Sequence, residues 1–454
     1  MRRTVLPILL IFLLASCESA SPSNELGYEV VTHPDGPLYV GDRVSFEVFA
    51  PEGETASEVV EVNFDGQALG STSFVPFGLG QRDQATFWWI WDTAGLEPGR
   101  YTITFTLGSG YSWEEEIRLR PAGRVPPPEP EAAWASTTTE CCTIYYITGT
   151  DAERDIAVLS ALADEESDAV AAQIGAILQE RIPIIFMPRV VGHGGFAWDG
   201  VYISYLDENY VGNEMDVVLH HEFVHYYDDW IGGEYMPTIL QEGLAVYLSG
   251  GHFKPEPLGP RAAAMFDLGW YIPLETLADD FYDQQHDIGY LEAAALVQYL
   301  YETYGPGAFM EFYRTIPLPD GESDAQVLDE ALRDQFGVSL PDLESAFKNY
   351  LSSQPVTDEV RTDLELSVAY FDTLRRYQSL LDPSAHFLTA WLPEGKAMRD
   401  LGIVADFTRR PRGWKNWLVE TMLLHSHDEL FGGGYKAAAR ILDWTNWVLD
   451  ALEP

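Results

Sequence analysis

The sequence predicts three folded parts: an N-terminal β-sandwich, a central α+β domain and a C-terminal helical region. Short, aromatic-rich alternating runs fill the chain up to about residue 119, and a proline-rich stretch follows at 121–133. Beyond it, strand-like apolar runs mix with longer segments of helical periodicity. With 454 residues the chain has room for about three domains. We place the sandwich at 26–119, a linker at 120–135, the α+β domain at 136–351 and the helical region at 356–454.

Residues 1–17 have the features of a secretory signal. Arg2 and Arg3 precede a largely apolar run at 5–14 that is too short to span a bilayer as a stable helix. Residues 14–17 read Leu-Ala-Ser-Cys and resemble a bacterial lipobox, which implies cleavage before Cys17 and a lipid on that residue. We expect an exported protein tethered through Cys17 to the cell membrane or the outer membrane. An ordinary signal peptide with an incidental cysteine is the alternative.

The predicted sandwich depends on strand-like runs separated by turn residues. Residues 44–49, 85–91 and 99–105 are alternating or aromatic-rich, a pattern typical of antiparallel strands. The turn at 97–101 reads Glu-Pro-Gly-Arg-Tyr and resembles immunoglobulin-like domains of bacterial surface proteins. No catalytic cluster falls in this part, so we predict a spacer or a binding module.

The segment after the linker alternates strands and helices. We predict a strand at 144–148, helices at 152–163 and 167–180, a strand at 182–187 and a strand at 201–205. Cys141 and Cys142 stand at the start of the first strand, where neighbouring side chains point to opposite faces. We therefore expect two buried thiols, although an exported location leaves a disulfide between neighbours open.

The central chemical motif lies at residues 221–225, which read His-Glu-Phe-Val-His within a helical segment. Positions four apart share one helix face, so His221 and His225 can bind one metal ion. Glu222 lies beside that face, where its carboxylate can take a proton from a metal-bound water. Two histidines leave a tetrahedral zinc site short of one protein ligand and one open position.

Glu242 is the candidate third ligand, seventeen residues after His225. Gly232, Gly233 and Pro237 lie between them and predict the end of one helix and the start of another. Two helices joined in this way can run antiparallel, which would turn the carboxylate of Glu242 towards the histidine pair.

His-Glu-x-x-His followed by Glu-Gly-x-Ala resembles the gluzincin group of zinc metallopeptidases, over roughly residues 140–351. The resemblance implies a zincin-like fold in which His221, His225 and Glu242 hold Zn²⁺ and Glu222 is the general base. It also implies an oxyanion donor from a helix after the third ligand, for which Tyr290 is the candidate.

The resemblance leaves several points open. Tyr247 and Tyr227 are rivals to Tyr290 as oxyanion donor. Peptide substrates of the group extend along an edge strand, a role that we assign to residues 196–205. The Gly-Ala-Met-Glu-Asn signature that captures a free amino terminus is missing, which favours an endopeptidase. Position 246 is Val, where thermolysin-like members have Asp, so the group that orients the histidine ligands is undecided.

Beyond residue 356 the pattern is helical. Helices are predicted at 360–381, from 414 to about 425, and at 435–452, packed as an appendage on the central domain. His425 and His427 alternate and do not share a helix face, so a second metal there is disfavoured.

Composition excludes some partners. The formal net charge is −44 with only 27 Lys and Arg residues, which argues against binding nucleic acid or anionic lipid through a basic surface. We therefore predict a tethered zinc peptidase acting on a peptide or protein. The alternative is a non-catalytic surface-binding lipoprotein that uses a peptidase-like scaffold.

Overall fold

The computed structural model describes residues 26–51 and 58–453. The predicted signal and Cys17 lie outside the described residues. No described helix combines the length and the apolar content needed to cross a bilayer.

The N-terminal region consists of two β-sheets that share one core. One sheet has the order β1-β3-β7-β6 and the other β2-β9-β8-β4-β5. Alternate side chains of β3 and β8, such as Phe46 and Phe105, are fully buried between them with Trp91. The strands are β1 (Glu29–His33), β2 (Leu38–Tyr39), β3 (Arg43–Phe49), β4 (Val59–Phe64), β5 (Gln67–Ser73), β6 (Val75–Phe77), β7 (Arg82–Asp92), β8 (Gly99–Leu107) and β9 (Ser112–Arg120).

A second region contains a five-stranded sheet of order β10-β11-β12-β14-β13. The inner strands β11, β12 and β14 are parallel, and both outer strands run antiparallel to their neighbours. The inner strands are continuous apolar runs because both faces of the sheet are covered. The strands are β10 (Trp134–Thr138), β11 (Cys142–Ile147), β12 (Ile182–Met187), β13 (Gly195–Ala197) and β14 (Val201–Ser204).

One helix, α1, lies between β11 and β12, and the other helices follow β14 in the chain. The helices are α1 (Asp151–Ile174), α2 (Met215–Ile231), α3 (Thr238–Ser249), α4 (Leu258–Asp267), α5 (Leu274–Asp279), α6 (His286–Tyr304), α7 (Pro306–Arg314), α8 (Asp324–Phe336), α9 (Leu340–Ser353), α10 (Asp358–Leu381), α11 (Gly395–Leu401), α12 (Ala405–Thr408), α13 (Trp414–Phe431) and α14 (Tyr435–Leu452). The C-terminal region is thus helical, as predicted.

Three local predictions are wrong. The two helices expected at 152–163 and 167–180 are the single helix α1, because residues 164–166 contain no Gly or Pro to interrupt it. The strand expected at 196–205 is a hairpin, and only β13 forms the sheet edge. Cys141 and Cys142 are joined in a disulfide. Because β11 begins at Cys142, Cys141 lies in a bend and the alternation argument does not apply to it.

The C-terminal region packs on the N-terminal sheets as well as on the central region. α10, α13 and α14 share a core, to which Val190, Tyr210 and Phe253 of the central region also contribute. The segment between α10 and α13, residues 382–413, contacts the sandwich. Arg409 forms ion pairs with Asp42, 2.6 Å away, and with Glu129. Trp89 donates its indole N–H to Asp406 at 2.9 Å. These buried polar contacts fix the sandwich against the rest of the molecule.

Candidate metal centre and its cleft

Helix α2 carries both histidines on its buried face. His221 and His225 are separated by four residues, so their rings lie one above the other. Their Nε2 atoms are 3.0 Å apart. The neighbouring His220 points the other way and bonds Glu166 and Gln173, each at 2.8 Å. His220 is therefore a structural residue.

Helix α3 brings Glu242 to the same point. The chain leaves α2 at Gly232 and re-enters a helix after Pro237. Oε2 of Glu242 lies 3.3 Å from Nε2 of His221 and 3.2 Å from Nε2 of His225. Gly243 makes this approach possible, because a Cβ there would lie 2.6 Å from the carbonyl oxygen of Ala293 on α6. The glycine after the glutamate lets α3 pack directly on α6.

The three ligand atoms fit a tetrahedral metal. Bonds of about 2.0–2.1 Å at tetrahedral angles place two ligand atoms roughly 3.3–3.4 Å apart, close to the observed separations of 3.0–3.3 Å. Two imidazoles and one carboxylate are also the donor set of catalytic zinc sites. Within the described residues, the other group of three or more candidate ligands is Cys141, Cys142 and Asp164, whose sulfur atoms are bonded to each other. His425 and His427 join no such group there.

Burial and mutual charge set the protonation of this centre. Burial opposes charge on His225, yet the carboxylate of Glu242 raises the pKa of His225 to about 9. Burial likewise opposes ionisation of Glu242, but His225 and His221 hold its pKa well below the usual value. Glu242 is therefore an anion, the form in which it can bind a cation.

Glu222 is buried next to the ligands and faces the cleft. Burial raises its pKa to about 8, with His225 lowering it and Glu242 raising it further. A Cβ at Gly195 would lie 2.9 Å from Oε1 of Glu222. Glycine at the start of β13 therefore allows the sheet edge to run directly beside this carboxylate.

Tyr290 lies in the same cleft, on α6. It is buried, and its ring centroid is 6.4 Å from that of His221. Burial and the nearby carboxylate of Glu242 raise its pKa well above the usual value, so its hydroxyl keeps the proton and can donate it in a hydrogen bond. The rivals lie elsewhere: Tyr247 packs on Tyr301, and Tyr227 bonds Ser167 at 2.9 Å.

Sequence reasoning missed Tyr282 and three histidines. Tyr282 donates a hydrogen bond of 3.0 Å to Oε1 of Glu242 and so orients this ligand. His252 stacks on Tyr290 with centroids 4.1 Å apart, and His193 stacks on His286 at 3.9 Å. Burial lowers the pKa of all three histidines well below the usual value, which keeps them neutral. The only sequence feature that marked any of these four residues is the glycine-rich turn around His193.

Asp228 is a buried carboxylate close to the histidine ligands on the same helix. It is buried one helical turn after His225, and its charge raises the pKa of that histidine. The hydroxyl of Tyr313 donates to Oδ2 of Asp228 at 2.5 Å. This negative charge favours the positively charged form of the His225 imidazole.

The cleft above the centre has a volume of about 830 Å³. Its walls come from distant parts of the chain, including the tip between β6 and β7 (residues 78–81), the β13–β14 hairpin and residues 387–392. The tip is held by a hydrogen bond from Gly80 N to Leu388 O. Leu79 and Trp198 line the cleft although 44% and 81% exposed, so they form an apolar rim at its mouth.

The sequence matches no family model and no curated protein. Among solved structures it is similar to an M1 zinc metallopeptidase from Deinococcus radiodurans, at 13% identity and a TM-score of 0.33, over 72% of this chain and 94% of that one. A mutant of that enzyme gives 13% identity and a TM-score of 0.32, over 73% and 94%. An aminopeptidase N family protein from Idiomarina loihiensis gives 8% identity and a TM-score of 0.28, over 83% and 78%. Similarities this weak carry no argument about this chain, so its function has to be inferred from its own geometry.

Proposed function

We propose that this protein is a zinc-dependent peptidase that hydrolyses internal peptide bonds. The observation that carries the proposal is the convergence of His221, His225 and Glu242, with Glu222 buried beside them and open to one cleft. A metal-binding scaffold without catalysis would need the three ligands alone. The additional carboxylate has a chemical use only if a water molecule is to be deprotonated there.

Each residue has a defined role in this reaction. Zn²⁺ held by the three ligands would polarise a carbonyl group and acidify a bound water. Glu222 takes the proton of the attacking water and passes it to the leaving amine nitrogen, so that this carboxylate is regenerated at the end. Tyr290 donates a hydrogen bond from its hydroxyl to the oxygen of the former carbonyl and keeps its proton. Tyr282 holds Glu242 in the orientation that its ligand role requires.

The sheet edge gives the substrate its direction. β13 is the outer strand, and its residues line the cleft beside Glu222. An extended peptide can pair its backbone with such an edge. Leu79 and Trp198 at the rim then contact substrate side chains that lie away from the scissile bond. Binding of this kind favours long peptides as substrates, and therefore an endopeptidase.

The expected location completes the proposal. We infer that the protein acts outside the cytoplasm, tethered by a lipid on Cys17, and that the two N-terminal sheets form an immunoglobulin-like module. The support is the lipobox-like sequence at 14–17 and the two-sheet architecture. Mass spectrometry of the membrane-extracted protein tests the tether: a mature N-terminus at Cys17 carrying acyl chains is expected, and an unmodified N-terminus contradicts it.

Metal analysis combined with peptide cleavage tests the enzymatic proposal. The purified protein should contain one equivalent of zinc and cleave unstructured polypeptides. Glu222→Gln should retain the metal and lose about 10²–10⁴-fold in kcat, the usual contribution of a general acid–base.

Glu292→Gln is the matched control. Glu292 is another fully buried glutamate, but it accepts a hydrogen bond from the backbone of Ile272, an interaction that an amide oxygen also provides. It should cleave like the wild type. Absence of zinc binding would favour the alternative of a non-catalytic binding protein, and an active Glu222→Gln would refute the mechanism.

A further inference from the structure

Two helices of the C-terminal region carry four exposed indoles. Trp414 and Trp417 on α13 are 68% and 65% exposed, and Trp444 and Trp447 on α14 are 63% and 69% exposed. In residues 413–453 these four are the exposed large apolar side chains. We call them the tryptophan end.

The four indoles lie at the same end of one helical hairpin. α13 and α14 are joined by only three residues, 432–434, and pack against each other, so the start of α13 lies beside the end of α14. With a rise of about 1.5 Å per residue, all four indoles lie within roughly 12 Å of that end. The cluster therefore forms one local surface although its members are far apart in sequence.

The fold does not require these indoles. The opposite faces of both helices, including Val419, Leu423, Leu442 and Leu449, already complete the core with α10. Exposing four of the largest apolar side chains to water is energetically costly. We therefore expect a binding partner to cover this surface.

The type of exposed side chain indicates the nature of the partner that covers this surface. The exposed apolar positions are all Trp, with no exposed Leu, Ile or Phe among them. An indole has an apolar body and one N–H donor, and Trp is enriched where proteins meet the boundary between lipid headgroups and acyl chains.

Local charge supports the same conclusion. The exposed ions next to the indoles are Arg412, Lys415, Arg440 and Asp443. Among the described residues the three cations have no ion-pair partner. Asp450 and Glu453 share one cation, Arg376, at 2.6 and 2.5 Å, so its charge offsets one of their two negative charges. On a chain of net charge −44, this surface presents three cations without an ion-pair partner among the described residues, and these cations complement anionic headgroups.

We propose that the tryptophan end docks on the surface of a lipid bilayer containing anionic lipids. The contact is peripheral: indoles enter the headgroup region while Arg412, Lys415 and Arg440 bind phosphate groups. This proposal does not depend on the peptidase activity. It would add a second attachment to the expected lipid on Cys17. An acyl anchor and a docking surface together bind a membrane more durably than either does alone.

Fluorescence quenching in vesicles tests the contact. The full chain is mixed with phosphatidylcholine vesicles containing a minority of phosphatidylglycerol, with brominated or ordinary acyl chains. Brominated lipid should quench the wild-type tryptophan emission. The combined variant Trp414→Ser, Trp417→Ser, Trp444→Ser and Trp447→Ser, which keeps the same N-terminus, should lose that quenching. Trp198→Ser is the matched control, because it removes an even more exposed indole from the cleft rim, and it should stay quenched.

Charge reversal tests the lipid class. Arg412→Glu, Lys415→Glu and Arg440→Glu together should reduce quenching with phosphatidylglycerol present and leave pure phosphatidylcholine vesicles unchanged. Equal quenching of the four-serine variant and the wild type would overturn the proposal. A four-serine variant that loses self-association in sedimentation, with no change in quenching, would overturn it too, because a second copy of the chain would then be the occupant.

Discussion

The two walls of the cleft are built in different ways. One wall holds His221, His225 and Glu242 on two helices that follow each other within 22 residues of sequence. The opposite wall combines residues 78–81 of the sandwich, the β13–β14 hairpin and residues 387–392. The first wall is fixed by helix geometry and needs only one tight turn. The second exists only after three distant segments have met, and contacts such as Gly80 N to Leu388 O maintain it.

This difference separates chemistry from recognition. Metal ligands tolerate little error in position, and two adjacent packed helices supply that precision. Substrate side chains are recognised by the shape of a surface, which dispersed segments can change without disturbing the ligands. We therefore expect changes in the first wall to remove activity and changes in the second to alter substrate preference.

The largest effect should follow loss of the third ligand. Glu242→Ala removes the one carboxylate among the three ligand atoms, and even groups behind the ligands typically contribute 10–100-fold to metal affinity. We expect more than about 100-fold weaker zinc binding and no measurable cleavage, with the fold retained. Chelator competition measures the affinity for zinc, and circular dichroism shows whether the fold is retained. A variant that still binds zinc as tightly would show that Glu242 is not a ligand.

Tyr290→Phe should reduce catalysis without removing the metal. Loss of one donor to a developing oxyanion typically costs about 10²-fold in kcat, and KM should change little. Tyr247→Phe is the matched control, because its ring packs on Tyr301 away from the cleft, and it should behave like the wild type. Steady-state kinetics with zinc content measured in parallel decides this, and the opposite ranking of the two variants would assign the role to Tyr247.

Asp406→Asn tests the interface that positions the second wall. Burial raises the pKa of Asp406 from its ordinary 3.8 to about 6, so the folded state binds this proton more tightly than the unfolded state. The wild type should therefore lose stability relative to the variant as pH rises from 4 to 7. Above pH 7 the variant should be more stable by about 3 kcal/mol, and the two should converge near pH 4.

Urea unfolding of both proteins across this pH range measures the difference. The indole N–H of Trp89 can donate to the amide oxygen of the variant as it does to the acid, so the interface itself should persist. A difference that is constant with pH would show that Asp406 does not titrate in this range.

The smallest effect should come from the rim. Leu79→Ser removes one half-exposed apolar side chain from the mouth of the cleft, worth about 1 kcal/mol, or about fivefold in KM for long peptides with bulky apolar residues. Short peptides that do not reach the rim should be cleaved as before. Val59→Ser alters a similarly exposed apolar residue on the sandwich outside the cleft and serves as the control. Equal KM changes for short and long peptides would exclude a role for the rim in recognition.

The same contrast explains what the sequence could predict. His221 and His225 follow from helix periodicity, and Glu242 follows from a short connection with glycines and a proline. Tyr282 and His252 carry no such local signal, and His193 is marked only by the glycines around it, because the positions of these residues depend on how the connecting turns pack. The order of sheets and helices was readable from hydrophobic patterns, while the hairpin at 195–204 and the bend at Cys141 depended on single residues at the ends of strands.

The ion pair between Arg409 and Asp42 spans 367 residues of sequence. A chain that emerges from a ribosome or a translocon exposes the N-terminal sheets first, and their docking surface has to wait until position 409 has appeared. Closing so long a loop is slow, so the second wall of the cleft forms late in maturation. The proposed activity would then require that nearly the whole polypeptide has been delivered.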